Sequence, residues 1–193
     1  KSTSCLSNNR QLGTAFVLYF NDNDDSFPMP GYPASISTWT ETVQPYIKSK
    51  AILRCPSDDS SNWGTSLTSQ RVTSYFMNAW FTPNAPTPYT NNAQVAAPSS
   101  VIYLTESAKN AVQDHFPPYC MNVNDPLRPG FCSFMAPFFD ANGDPTRIAS
   151  KRHTGGFNST FVDGHAKWSK WTHVWFEKPS VGVWNGSFDP RQP

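Results

Sequence analysis

Apolar side chains at the start of the chain fall on a helical repeat. Leu12, Ala15, Phe16 and Tyr19 stand at i, i+3, i+4 and i+7, the spacing of one face of an α-helix. The pattern predicts a helix from about Ser2 to Phe20, with Asn8, Asn9, Arg10 and Gln11 on its polar side. Val17, Leu18 and Phe20 widen the apolar arc, which either meets neighbouring molecules in a filament or is buried under this chain's own loops. Near the other end, apolar and polar residues alternate through 157–168, the period of a strand. Asp163-Gly164 interrupts that run as a two-residue type I′ hairpin signal. Such a turn sets Phe161 opposite Ala166 and Ser159 opposite Trp168. Phe157, Phe161, Ala166 and Trp168 then share one face, and Asn158, Thr160, Val162, His165 and Lys167 the other. The aromatic face is expected to cover Leu12, Phe16 and Tyr19, each large buried side chain contributing on the order of 2 kcal/mol.

Between these ends the signals are shorter. Thr38-Trp39-Thr40-Glu41 has capping-box spacing and starts a helix that reaches Ile47 or Lys48, with an irregular last turn at Pro45. Arg71–Met77 and Val101–Glu106 have strand composition. Val101-Ile102-Tyr103-Leu104 is continuously apolar, as in a central strand covered on both faces. Residues 81–100, rich in Pro, Asn, Thr, Ala and Ser, read as a long surface loop. Residues 108–149, with many prolines and two cysteines, read as an insertion. The tail from 179 to 193 is apolar enough at Val181, Val183, Trp184 and Phe188 to dock, with a neighbouring subunit as one candidate.

Several of these segments carry a family resemblance. His153 and Asp163-Gly164 enclose nine residues, among them Gly155, Gly156 and Asn158. This spacing resembles the H-X9-DG motif of prepilin-type, processing-associated proteins in the pseudopilin and type IV pilin-like superfamily. Cys5-Leu6-Ser7-Asn8-Asn9-Arg10-Gln11-Leu12-Gly13 resembles the family's leading helix. Asp22–Asp25 with Phe27-Pro28, then Trp39, Pro45-Tyr46 and Cys55-Pro56-Ser57-Asp58, follow in the family's order. So do Ser74-Tyr75, Asn78, Pro98-Ser99 and Val101–Glu106. The resemblance spans roughly Cys5 to Trp171, thins between Ala108 and Ala149, and is absent after about Lys178. It implies that Lys1–Phe20 is the distal half of a spine helix, whose membrane half is not part of this sequence. It also implies the pairing Cys5–Cys55, which leaves Cys120–Cys132 to close a short local loop.

Composition narrows the class. The 193 residues suit one domain, and 18 prolines argue against long helices after the first. A net charge of +1 with no Lys/Arg cluster argues against a nucleic-acid partner. Four cysteines, none in a C-x-x-C pair, point to disulfides and an oxidising compartment; on their own they allow three pairings.

Candidate chemistry is sparse. His153, Asp163 and His165 could form a metal or acid–base set, but His153 is expected to lock the hairpin and Asp163 to accept a local backbone hydrogen bond. Asn21–Asp25 reads as a solvated helix-ending turn. Asp140, Asn142 and Asp144, with Gly143 between them, make an oxygen-rich turn that could take calcium; no other cofactor is expected. Asn158 and Asn185 head glycosylation sequons, and Asn158 falls on the polar hairpin face. No nucleophile elbow or phosphate loop is present.

The sequence therefore predicts an α+β, pilin-like fold. Residues 1–20 form the distal spine helix, 21–178 the globular domain with the insertion at 108–149, and 179–193 a docked extension. The resemblance implies a non-enzymatic structural subunit of a pilus- or pseudopilus-like filament, exported to the periplasm or cell surface. Its partners would be copies of itself, and the inner membrane before assembly. Two alternatives are a glycan-binding module using Trp39, Trp63, Trp80, Trp171, Trp175 and Trp184, and a metal-dependent hydrolase using His153, Asp163 and His165.

Overall fold

The computed structural model describes residues 1–28, 38–64, 71–83, 85–122, 125, 127–135, 137–178, 183–184 and 186–191. One long helix, α1 (Ser2–Asp22), crosses a five-stranded sheet. The strands are β1 (Tyr75–Asn78), β2 (Ile102–Glu106), β3 (His115–Phe116), β4 (Phe157–Phe161) and β5 (Ala166–Ser169), in the order β3-β1-β2-β4-β5. All neighbours are antiparallel except β1 and β3, so the sheet is mixed rather than purely antiparallel. Short helices α2 (Trp39–Thr42), α3 (Pro118–Met121) and α4 (Trp171–Val174), and a small ribbon of β6 (Glu177–Lys178) with β7 (Val183–Trp184), complete the fold. Among the described residues no helix is long and apolar enough to cross a membrane.

Several expectations hold. Strand β2 sits third of five, buried throughout. Thr38 and Glu41 form both halves of the capping box of α2, and the chain then tightens into a 3₁₀ turn over Gln44–Tyr46, where Pro45 cannot donate an α-helical hydrogen bond. Both disulfides, Cys5–Cys55 and Cys120–Cys132, are formed. Helix α1 ends as expected at the Asn/Asp turn: Asn23 Nδ2 donates to Tyr19 O at 2.8 Å, and Asp24 and Asp25 take positive φ. Residues 186–191 of the tail pack on their own chain, whereas Val181 lies outside the described residues. Phe188 is fully buried, Asn78 Nδ2 donates to its carbonyl at 2.7 Å, and Arg191 pairs with Asp125 and Asp189 over the Trp80 ring.

The hairpin departs from expectation by one residue. Phe161 N–H donates to His165 O at 2.9 Å, and Gly164 N–H to Phe161 O at 2.9 Å. Gly164 has φ +88°. Val162-Asp163-Gly164 is thus a three-residue loop with a left-handed glycine, not a two-residue turn. Asn158 faces Trp168 and Thr160 faces Ala166. The paired central positions with positive φ occur instead at Thr154 (+53°) and Gly155 (+77°), where His153 and Gly156 exchange backbone hydrogen bonds of 2.8 and 3.1 Å.

The helix also covers the other face of the ribbon, the one expected to be polar. Leu12, Ala15, Phe16, Phe20, Trp39, Tyr103 and Val162 form the core on the α1 side of the sheet, with Phe16 edge-on to Tyr103 at 4.7 Å. Phe157 and Phe161 lie in a second core on the opposite side, with Phe76, Ile102, Phe116, Val174 and Phe188. Trp168 remains on the α1 side, 37% exposed, its indole N–H donating to His153 O at 2.8 Å. The expected packing of Phe157 and Phe161 against Leu12, Phe16 and Tyr19 is therefore replaced by two cores, one on each side of the sheet.

Candidate functional site

The 153–164 stretch meets the rest of the fold at two places, one where Gly164 touches α1 and one around buried His153 near the Cys55 segment. Asn9, expected on the polar outside of α1, is fully buried. Its Nδ2 donates to Cys5 O at 3.0 Å, and Thr160 Oγ1 on β4 lies 3.1 Å from both Asn9 O and Asn9 Oδ1. Asn8 Nδ2 donates to Arg54 O at 2.9 Å. One turn on, Gly13 lies against Gly164: a Cβ built on Gly13 would stand 2.0 Å from Gly164 O. Only a residue without a side chain lets the helix backbone come this near the loop. Substituting Gly13→Ala forces helix and hairpin apart and is expected to cost about 2–3 kcal/mol, as overpacking does. Urea denaturation checks this, and an unchanged midpoint would contradict the contact.

Beneath the helix start lies a buried polar cluster. Glu106, at the end of β2, has no solvent exposure. His153 Nε2 donates to Glu106 Oε1 at 2.7 Å, and the Asn158 backbone N–H donates to Oε2 at 3.0 Å. Cys55 Sγ lies 3.6 Å from the same His153 nitrogen. The expected hairpin lock is therefore made to a carboxylate on β2. Asn158, a glycosylation candidate, is also fully buried, with its Nδ2 3.4 Å from Glu106 Oε1, so no glycan fits there in this fold. Asn185 lies outside the described residues. Gly155 supplies the left-handed turn position, and Gly156 lies directly under the Trp168 ring.

A second set continues the cluster. Arg71 Nη2 donates to Asp58 Oδ2 at 2.5 Å and to Ser107 Oγ at 2.6 Å, while Nη1 donates to Ala108 O at 2.7 Å. Arg152 Nη2 donates to Ser107 O at 2.8 Å and lies 3.4 Å from Asp58. Burial pushes the Asp58 carboxyl up, but Arg152, a hydrogen bond from Ser60 and Arg71 together outweigh it and hold the group below the usual carboxylate range. A carboxylate depressed on folding stabilises the fold above its unfolded pKa, and that contribution is lost as pH falls through the folded value. Asp58→Asn should therefore flatten the acid limb of a stability–pH curve as pH falls below the ordinary carboxylate range. An unaltered limb would place the acid sensitivity elsewhere.

His153, Asp163 and His165 do not form one site. Asp163 Oδ1 accepts from His165 N at 3.1 Å and pairs with His165 Nδ1 at 2.6 Å on the exposed turn, whereas His153 is buried with Glu106. Cys5, Cys55, Glu106 and His153 bring their ligand-type atoms within 4.8 Å of one another. In the disulfide-bonded form the two sulfurs are not thiolates, and the histidine and glutamate bond each other. In the oxygen-rich turn, Asp140 Oδ1 accepts the backbone N–H groups of Asn142 (2.8 Å) and Asp144 (3.0 Å), and Asp144 pairs with Lys151. A cation there would compete with that lysine.

The tryptophans form no exposed coplanar platform among the described side chains. Trp39 and Trp80 are buried, and Trp63 packs under Arg54 at 4.1 Å. Trp171 and Trp175 stack on each other at 5.2 Å.

Reading the sequence missed Glu106, Arg71 and Arg152 as partners of His153 and Asp58. A signal existed for the first: an acid that ends a continuously apolar central strand must find a buried partner. Compared with known protein families, with curated proteins and with solved structures, the chain matches none.

Proposed function

We propose that this chain is a structural subunit: the exported head and distal spine of a pilin-like protein that polymerises into a helical filament. The observation that carries the reading is how α1 is held. A disulfide at Cys5, the Asn9–Thr160 hydrogen bonds and the Gly13–Gly164 contact fix one face of the helix along its length. The opposite face keeps Ser7, Gln11, Thr14 and Leu18 exposed at helical spacing, available to neighbouring spines. The motif chemistry is also of the structural kind, since His153 and Glu106 are spent on each other in a site closed to solvent. Growth by head-to-tail contacts that do not close gives a fibre.

Negative-stain microscopy of native source material, labelled with antibody to this chain, tests the proposal. Regular fibres decorated along their length are expected. Label confined to dispersed particles or to non-fibrous surfaces would overturn it.

A further inference from the structure

The 108–149 segment builds a cleft that the filament reading does not use. Cys120 of α3 is bonded to Cys132, and this staple holds a 3₁₀ stretch, Gly130–Met135, over the region beside β3. A cleft of about 620 Å³ opens there, lined by His115, Tyr119, Phe131, Phe134, Met135 and Arg147 among others. That volume is ordinary for a small-molecule site.

Two features of the lining gain nothing from folding alone. Phe131 is 44% exposed and Phe134 92% exposed, although a buried phenylalanine would contribute about 2 kcal/mol. Exposed aromatics on a loop stapled in place are a surface already ordered for contact. Arg147 is the second feature. It is half-buried, its Nη2 donates to Met135 O at 3.1 Å, and its guanidinium lies 5.6 Å from the Phe138 ring centre. No carboxylate forms an ion pair with it among the described residues. Burial alone pulls its pKa below the usual arginine value. A partly desolvated cation beside an aromatic wall selects a ligand with both an acid group and an apolar body.

We propose that this cleft binds small carboxylates with an aromatic or similarly bulky apolar body, the acid on Arg147 and the body against Phe131, Phe134 and Tyr119. The disulfide-stapled loop makes the site largely preformed, so binding needs no ordering of the loop.

The test uses 2-naphthylacetate as probe and 2-naphthylacetamide as its uncharged match, titrated calorimetrically into the intact chain. The acid is expected to saturate at or below about 1 mM and to bind at least about tenfold more tightly than the amide. Arg147→Gln should remove that preference. Phe134→Ser, at an exposed position that cannot unfold the core, should weaken acid and amide alike by about tenfold. Equal binding of acid and amide to the unaltered chain, no saturation by the acid, or a preference that survives Arg147→Gln would each overturn the proposal. So would loss of self-association as the sole effect of Phe134→Ser, which would make the patch an interface between copies.

Discussion

Replacing His153 by alanine is expected to cost about 3 kcal/mol of folding stability, because it strips a buried acid side chain of its shortest hydrogen bond. Glu106 has no contact with solvent and its shortest hydrogen bond comes from His153 Nε2. Without the imidazole, the Glu106 side chain keeps, among the described residues, the Asn158 donors at 3.0 and 3.4 Å. The cavity left beside Cys55 adds to the loss. His153→Ala and Glu106→Ala should also be strongly coupled, because each already removes the shared bond. Chemical denaturation of the two single variants and the double variant measures this. The double loss should fall short of the sum by at least about 1 kcal/mol. Simple additivity would mean that the two groups do not depend on each other.

Removing the Cys5–Cys55 disulfide should be comparably costly. The bond joins residues 50 apart in sequence. Cross-linking a loop of that length restricts the unfolded chain by about 4 kcal/mol in the chain-entropy description. Cys120–Cys132, with a separation of 12, should contribute about 3 kcal/mol on the same basis. The two also differ in what they hold. Loss of the first frees the start of α1 from the Cys55 segment, whereas loss of the second loosens only the loop over the cleft. Paired Cys→Ala variants compared by urea denaturation and far-ultraviolet circular dichroism separate these outcomes. Equal losses of stability and helicity would contradict the assignment.

Legibility in the sequence followed signal length. The helical repeat of α1 runs for several turns and placed the helix within two residues of its observed end at Asp22. The apolar run 101–104 identified the central strand, and Thr38 and Glu41 identified the cap of α2, because both signals are local. The hairpin failed on a single residue. A glycine after aspartate serves a two-residue turn and a three-residue bulged loop alike, and the one-residue difference moves every side chain of a strand to the opposite face. Gly13 decides between them only in three dimensions, since its role is to admit Gly164 of a distant loop. A separate error placed Asn158 and Asn9 on exposed faces because they are polar, although Asn9 and Thr160 bond each other between helix and strand. The Arg71–Asp58–Arg152 set joins segments far apart in sequence, and no short-range pattern announces it.

The central claim is that α1 is an integral layer of the fold, fixed by its small and polar residues on the Asn158/Thr160/Val162 face of the hairpin. Native-state hydrogen exchange followed by mass spectrometry tests it most directly. Amides of 9–16 in α1 should exchange together with those of β2 and β4, only through global unfolding. Exchange of the α1 amides within seconds, while β2 and β4 stay protected, would contradict it.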